Sequence, residues 1–168
     1  MTGTAVAAVA ILALVTLQRL GELFRAGSNT RRLLAEGARE HGAGHYPLIV
    51  AVHTAWLAAL WWRAPAQPIN GPLLLLFVLL QLGRLWVIRS LGPRWTTRII
   101  VKPGTTLVRK GPYRWISHPN YLVVALEIAV LPLVFGLWTI AVLFSLLNAA
   151  VLAIRIREEN EALASLRD

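Results

Sequence analysis

Residues 119–154 read PNYLVVALEIAVLPLVFGLWTIAVLFSLLNAAVLAI, and the one charged residue among them is Glu127. An apolar run of this length is more than the roughly 20 residues that cross a bilayer once as helix. Pro132 and Gly136 interrupt it near its centre with no accompanying charge. The stretch therefore predicts two helices, 119–134 and 136–154, folded as a tight hairpin within a membrane.

Three further apolar runs lie upstream, at 3–20, 46–63 and 72–90, giving about five transmembrane helices and an all-α integral membrane protein. The first has no basic region before it, which argues against a cleaved signal peptide. Of the 168 residues 57% are hydrophobic and 15% charged, against roughly 25% charged in soluble domains. The mean hydropathy is +0.60, which excludes an ordinary globular or disordered chain. The absence of cysteine excludes disulfides, thiolate metal sites and a cysteine nucleophile.

The net charge of +9 reads as topology. Of the 17 Lys and Arg, sixteen fall in or beside the segments after spans one, three and five, and only Arg63 falls on the other side. The positive-inside rule then puts the N-terminus outside and the C-terminus in the cytoplasm, as in a bacterial inner membrane. Polar chemistry is confined to 21–45, 91–118 and 155–168. The chain divides into 1–90, three helices with a polar loop, and 91–168, the core with the hairpin, together one folding unit. Arg84, Trp86, Arg89, Arg94, Trp95, Arg98 and Trp115 look like a nucleic-acid stripe, but interfacial tryptophans flanked by basic residues are the usual belt of a membrane protein, so no nucleic-acid partner is expected.

Several polar residues lie where a bilayer tolerates few. Glu127, with Asn120 two turns earlier on the same face, is a functional candidate; the alternative is an acid hydrogen-bonded to a neighbouring helix. Ser145, Asn148 and Arg155 share one face of the last helix, where inter-helix hydrogen bonding is an equal reading. Arg155 meets Glu158 and Glu159 at one turn. Gln18, Arg19 and Glu22, and Gln81, Arg84 and Arg89, close spans one and three, where snorkelling to head groups accounts for the arginines. His53, one turn from Trp56, is a buried histidine or an acceptor-site residue. His41 and His45 have helical metal spacing, but Gly42 and Gly44 between them speak against a helix and so against a metal.

Residues 107–121 read LVRKGPYRWISHPNY. Gly111-Pro112 is a turn, Ser117 or His118 can cap the next helix, and Pro119 fits its first turn. His118 and Tyr121 share a face at the boundary, and a helix N-terminus there offers N–H groups to an anion.

The order Gly111-x-Tyr113, His118-Pro119-x-Tyr121, hairpin, Arg155-x-x-Glu158-Glu159 resembles the isoprenylcysteine carboxyl methyltransferase family over about 107–163. Members are integral membrane enzymes that bind S-adenosylmethionine near the cytoplasmic face. The resemblance implies a cofactor pocket from Gly111, Tyr113, His118, Pro119, Tyr121, Arg155, Glu158 and Glu159, with Val108 and Pro119 against adenine or sulfonium. Ser117 stands where prenylcysteine-directed members usually carry Arg, and their aromatic tail after the Glu-Glu pair is absent. The N-terminal half is similar to a bacterial branch associated with type III polyketide synthases, through Glu22, Asn29, Gly37-Ala38-Arg39-Glu40, His45-Tyr46-Pro47 and His53. That branch implies O-methylation of alkylpyrone or alkylresorcinol lipids.

Methyl transfer from a sulfonium requires alignment, exclusion of water and an ionised acceptor oxygen. A carboxylate is ionised at neutral pH; a phenol, with a pKa of about 10, needs a base. His45, His53 and Glu127 are the candidate bases, and Asn120 completes the catalytic set. The expected partners are a lipophilic acceptor entering from the bilayer and the membrane lipids themselves. Two other readings are open: an NADPH-dependent reductase related to sterol reductases, which also carry His-Pro-Asn-Tyr but are much longer, and a non-catalytic scaffold.

Overall fold

The computed structural model describes residues 3–164, and each apolar run of the sequence is a helix in it. They are α1 (Gly3–Ala35), α2 (Tyr46–Arg63), α3 (Gly71–Leu91), α4 (Pro119–Val134) and α5 (Trp138–Leu163). Four of the helical stretches are long and apolar enough to cross a membrane. The 16 residues of α4 extend only about 24 Å, short of the ~30 Å hydrocarbon core.

The hairpin between α4 and α5 turns at Gly136, whose φ of 64° suits a residue without Cβ. Its N–H and that of Leu137 return to the carbonyls of Leu133 and Pro132, both at 3.0 Å, closing α4 as a Schellman motif. The same device ends α1: Gly37, at φ 87°, and Ala38 donate to Leu34 and Leu33, both at 3.0 Å. Asn70 caps α3 by accepting the Leu73 N–H at 3.1 Å, and its own N–H donates to Val134 at 2.8 Å, tying α3 to the end of α4.

The bundle is apolar outside and, apart from a few buried polar and charged side chains, apolar inside. Leu12, Leu60, Phe77, Leu131 and Phe135 pack in the core, and the Trp56 indole donates to the Ile128 carbonyl at 3.2 Å. Leu14, Leu17, Leu75, Leu79 and Leu146 face outward, the surface of an integral membrane protein.

Several features depart from the sequence reading. First, α1 continues 15 residues past the expected span end at 20, because 21–35 keeps helical periodicity and buries Ala26 and Leu33. Second, the polar segments contain a small ribbon. Strands β1 (Arg39–His41) and β2 (Ile99–Val101) pair antiparallel, Glu40 opposite Ile100. Arg98 bonds Glu40 at 2.8 Å and Lys102 bonds Glu36 at 2.8 Å, fastening the ribbon at both ends. Lys102 holds the exposed Glu36 carboxyl below its ordinary range.

Arg19 and Arg84 do not snorkel. Arg84 is buried and bonds Glu22 at 2.6 and 2.7 Å and Glu127 at 3.1 Å. Arg19 bonds Glu22 at 3.0 Å and Glu127 at 2.8 Å. Two carboxylates and two guanidiniums thus form a neutral quartet joining α1, α3 and α4, and mutual charge compensation makes their burial tolerable.

Candidate functional site

Where α1, α3, α4 and α5 approach the ribbon they surround an open cavity of about 1380 Å³. Leu33 closes one side, Ser90 and Leu91 the next, and Ile99 to Lys102 form a wall. The 107–118 segment forms another. Gly111 begins a 3₁₀ turn, Gly111–Arg114, at φ 58°, and a Cβ there would stand 2.1 Å from Ser90 Oγ. Glycine is therefore required to seat the segment against α3.

At the start of α4 the chain places His118 at the N-cap without a side-chain cap, and Ser117 does not cap either. The Tyr121 and Leu122 N–H groups both go to the His118 carbonyl, at 3.1 and 3.3 Å, so the open anion site expected of this terminus is reduced. The His118 side chain turns instead to α5. Its Nδ1 lies 3.3 Å from Glu159 Oε2 and its Nε2 lies 3.2 Å from Asn160 Oδ1. One turn on, Tyr121 stacks on His118 with ring centres 5.3 Å apart, donates its hydroxyl to Glu159 and accepts from Arg155 Nε at 2.8 Å. Arg155 also donates to the Thr97 carbonyl at 2.8 Å. Its hydrogen bonds thus go to Tyr121 and Thr97, where the sequence reading paired it with the two glutamates.

Of the sequence-predicted cofactor residues, Val108, Tyr113, His118, Tyr121, Arg155 and Glu159 line the cavity. Burial, reinforced by the Glu159 charge, holds the Tyr113 phenol well above its usual 10.0, so it remains a neutral hydrogen-bonding surface. Gly111 and Pro119 do not line the cavity: Gly111 abuts Ser90, and Pro119 is buried at the start of α4. Glu158 turns to the opposite side, where its carboxylate would lie 3.1 Å from a Cβ on Gly42. Adjacent residues of a helix point about 100° apart, so one of a Glu-Glu pair leaves the cavity when the other enters it.

The catalytic candidates separate. Asn120 lines the cavity. Glu127 lies in the quartet, with Oε2 bonded to both arginines and Oε1 accepting from Gln81 at 2.8 Å. Both of its oxygens are thus engaged by side chains of α1 and α3. His53 borders a separate void of about 10 Å³ beside Arg19, Arg84 and Glu127, and its Nδ1 pairs with the Ile49 carbonyl at 2.8 Å. His45 is buried beneath Gly42, on the Glu158 side.

The sequence reading missed the β2 wall and Trp95. Trp95 is 2% exposed, packed on Ala26 and Ile88, and lines the cavity. Its carbonyl accepts from Asn29 Nδ2 at 2.7 Å. Trp86 and Trp115, 6.1 Å apart, stay exposed as a belt would.

Fold and site together define an integral membrane protein whose polar chemistry is gathered at one end of a helical hairpin. The chain belongs to the isoprenylcysteine carboxyl methyltransferase (ICMT) family, a family of membrane methyltransferases, whose pattern matches residues 73–165. It is 37% identical over 166 residues to "Uncharacterized protein YpbQ" of Bacillus subtilis (strain 168), covering 91% of this chain and 94% of that protein. An "Uncharacterized protein" of Haemophilus influenzae is 26% identical over 144 residues, covering 81% of this chain and 83% of that one. No solved structure matches.

Proposed function

We propose that the protein is an S-adenosylmethionine-dependent O-methyltransferase acting on a lipophilic acceptor in a bacterial inner membrane, with its C-terminus and cavity in the cytoplasm. The observation that carries this reading is the His118–Tyr121–Arg155–Glu159 cluster, drawn together from both arms of the hairpin and opening into a cavity of about 1380 Å³.

The donor set fits the cofactor. Glu159 presents a carboxylate suited to an ammonium or sulfonium charge, and Arg155 a guanidinium suited to a carboxylate. Tyr113, Leu107 and Val108 supply aromatic and apolar surface for a purine. When bound, S-adenosylmethionine supplies an electrophilic methyl group. The chain's own contribution is alignment and enclosure, for which both arms of the hairpin hold the cluster rigid through mutual hydrogen bonds.

The acceptor oxygen must be ionised. Glu127 and His53 lie outside the cavity, and in it His118 is bonded to Glu159 and Asn160. Arg94, Arg98, Lys102, Arg109, Lys110 and Arg114 also line it, and so many cations favour an anionic acceptor. This supports an acceptor that ionises unaided: an acidic alkylpyrone of the kind type III polyketide synthases make, or an isoprenylcysteine carboxylate, ahead of an alkylresorcinol.

Calorimetry on the detergent-purified protein tests the reading, with S-adenosylmethionine and NADPH titrated side by side. Saturable binding of the first, lost in His118→Ala and Glu159→Ala, is expected. Binding of NADPH alone would establish the reductase instead, and binding of neither would leave a scaffold.

A further inference from the structure

Among the described residues three buried side-chain atoms lack partners, Gln81 Oε1, Trp95 Nε1 and Asn120 Oδ1, and the last two belong to residues that line the cavity. An unpaired buried donor or acceptor is costly, about 1–3 kcal/mol, and natural interiors rarely retain one unless a ligand or water meets it.

Their placement relates the two. Helices α1 and α3 run toward the cavity and α4 runs away from it, since Leu33, Leu91 and Asn120 all line it. Trp95 packs against Ala26 and Ile88, each one turn nearer the cavity than Glu22 and Arg84 of the quartet. Asn120 is two turns nearer than Glu127 on the same face of α4. Both orphaned atoms therefore belong to the α1–α3–α4 column, between the buried quartet and the open cavity. The His118–Tyr121–Glu159 cluster is on the α5 side of α4, because its partners are all on α5. The cavity thus has two sides: the mutually bonded His118–Tyr121–Arg155–Glu159 cluster on the α5 side, and the two orphaned atoms on the α1–α3 side.

We infer that the α1–α3 side holds the polar head of the methyl acceptor, with the Trp95 indole donating to a head-group oxygen and the Asn120 carbonyl oxygen accepting from a head-group N–H or from a hydroxyl other than the ionised reacting one. A donor and an acceptor together select a compact head bearing both functions on a hydrocarbon tail, and leave the cofactor to the α5 side. This assignment rests on the methyltransferase reading and adds the residues that choose the acceptor.

The test is the indole region of a ¹H–¹⁵N spectrum of the ¹⁵N-tryptophan-labelled protein, with the Trp95 peak assigned by its loss in Trp95→Phe. The probes are 4-hydroxy-6-undecyl-2-pyrone and N-acetyl-S-farnesylcysteine, each added with and without S-adenosylhomocysteine. The Trp95 peak is expected to move with at least one probe in both conditions and to stay in place with S-adenosylhomocysteine alone. Trp95→Phe, which keeps the packing on Ala26 and Ile88, and Asn120→Ala are expected to raise KM for that probe about fivefold to tenfold, with Kd for S-adenosylhomocysteine within twofold of wild type. A peak that moves with S-adenosylhomocysteine alone, or with neither probe, overturns the assignment, as does an unchanged KM. Failure of S-adenosylhomocysteine to bind at all defeats the methyltransferase reading instead. The titrations made without it still decide whether Trp95 meets an amphiphile.

Discussion

Arg84 Nη1 stands 3.1 Å from Glu127 Oε2, joining α3 to α4 across a residue separation of 43 inside an apolar bundle. Removing one member of a buried pair leaves the other charge uncompensated, at a cost of about 3–5 kcal/mol. Glu127→Ala is therefore expected to lower the unfolding temperature sharply in detergent. The double variant Arg84→Met, Glu127→Leu keeps Arg19 paired with Glu22 and restores neutrality, so its loss should be smaller than that of Glu127→Ala alone. Equal or greater loss in the double variant would contradict the quartet's role.

Gly111 touches α3 where nothing larger fits. Alanine there adopts a left-handed φ of 58° and meets Ser90 Oγ at 2.1 Å, so Gly111→Ala should cost about 2–4 kcal/mol from overpacking and backbone strain together. Adding Ser90→Gly removes the Oγ and should recover part of the loss in a thermal melt.

The Tyr121 hydroxyl bridges Glu159 and Arg155. Tyr121→Phe keeps the ring stacked on His118 and deletes two charge-assisted hydrogen bonds, each worth about 1.5–3 kcal/mol. Calorimetry should show S-adenosylmethionine Kd raised about tenfold or more with the fold intact; unchanged affinity would place the cofactor elsewhere.

Burial raises the Tyr113 pKa above its ordinary 10.0. The native state then keeps a proton that the unfolded chain loses above that pH, so stability falls as pH rises past 10.0. Tyr113→Phe removes this ionisation. Denaturant melts between about pH 9 and 11.5 should show a shallower decline in the variant than in wild type.

With no native cysteine, single thiols report topology cleanly. In intact cells a membrane-impermeant maleimide should label Arg63→Cys and spare Arg109→Cys until the cells are opened. The reverse pattern would invert the proposed orientation.

The hairpin was readable because its signals are local: a long apolar run broken by Pro132 and Gly136, the latter at the left-handed position of a Schellman turn. His118, Tyr121, Arg155 and Glu159 were readable because three- and four-residue spacings place side chains on one face. The ribbon was not, since strands of three residues carry no alternation, and Glu40 finds Ile100 only after the helices bring the segments together. Trp95 has the same basic flanks in sequence as its interfacial neighbours, and only packing against Ala26 and Ile88 separates it from the exposed Trp86 and Trp115. Arg19 and Arg84 likewise resemble head-group arginines in sequence, because their partner Glu127 is 108 and 43 residues away along the chain.

The 33 residues of α1 contain no proline and extend about 50 Å, some 20 Å beyond what the hydrocarbon layer needs. Near the far end Arg32 and Leu33 form part of the cavity wall, and Arg32 donates to the Pro93 carbonyl at 2.7 Å. A rod of this kind converts tilt into lateral displacement at its tip. Lipids with shorter or longer acyl chains, by changing how steeply α1 leans, would move that wall, so bilayer thickness becomes an adjustable parameter of the site.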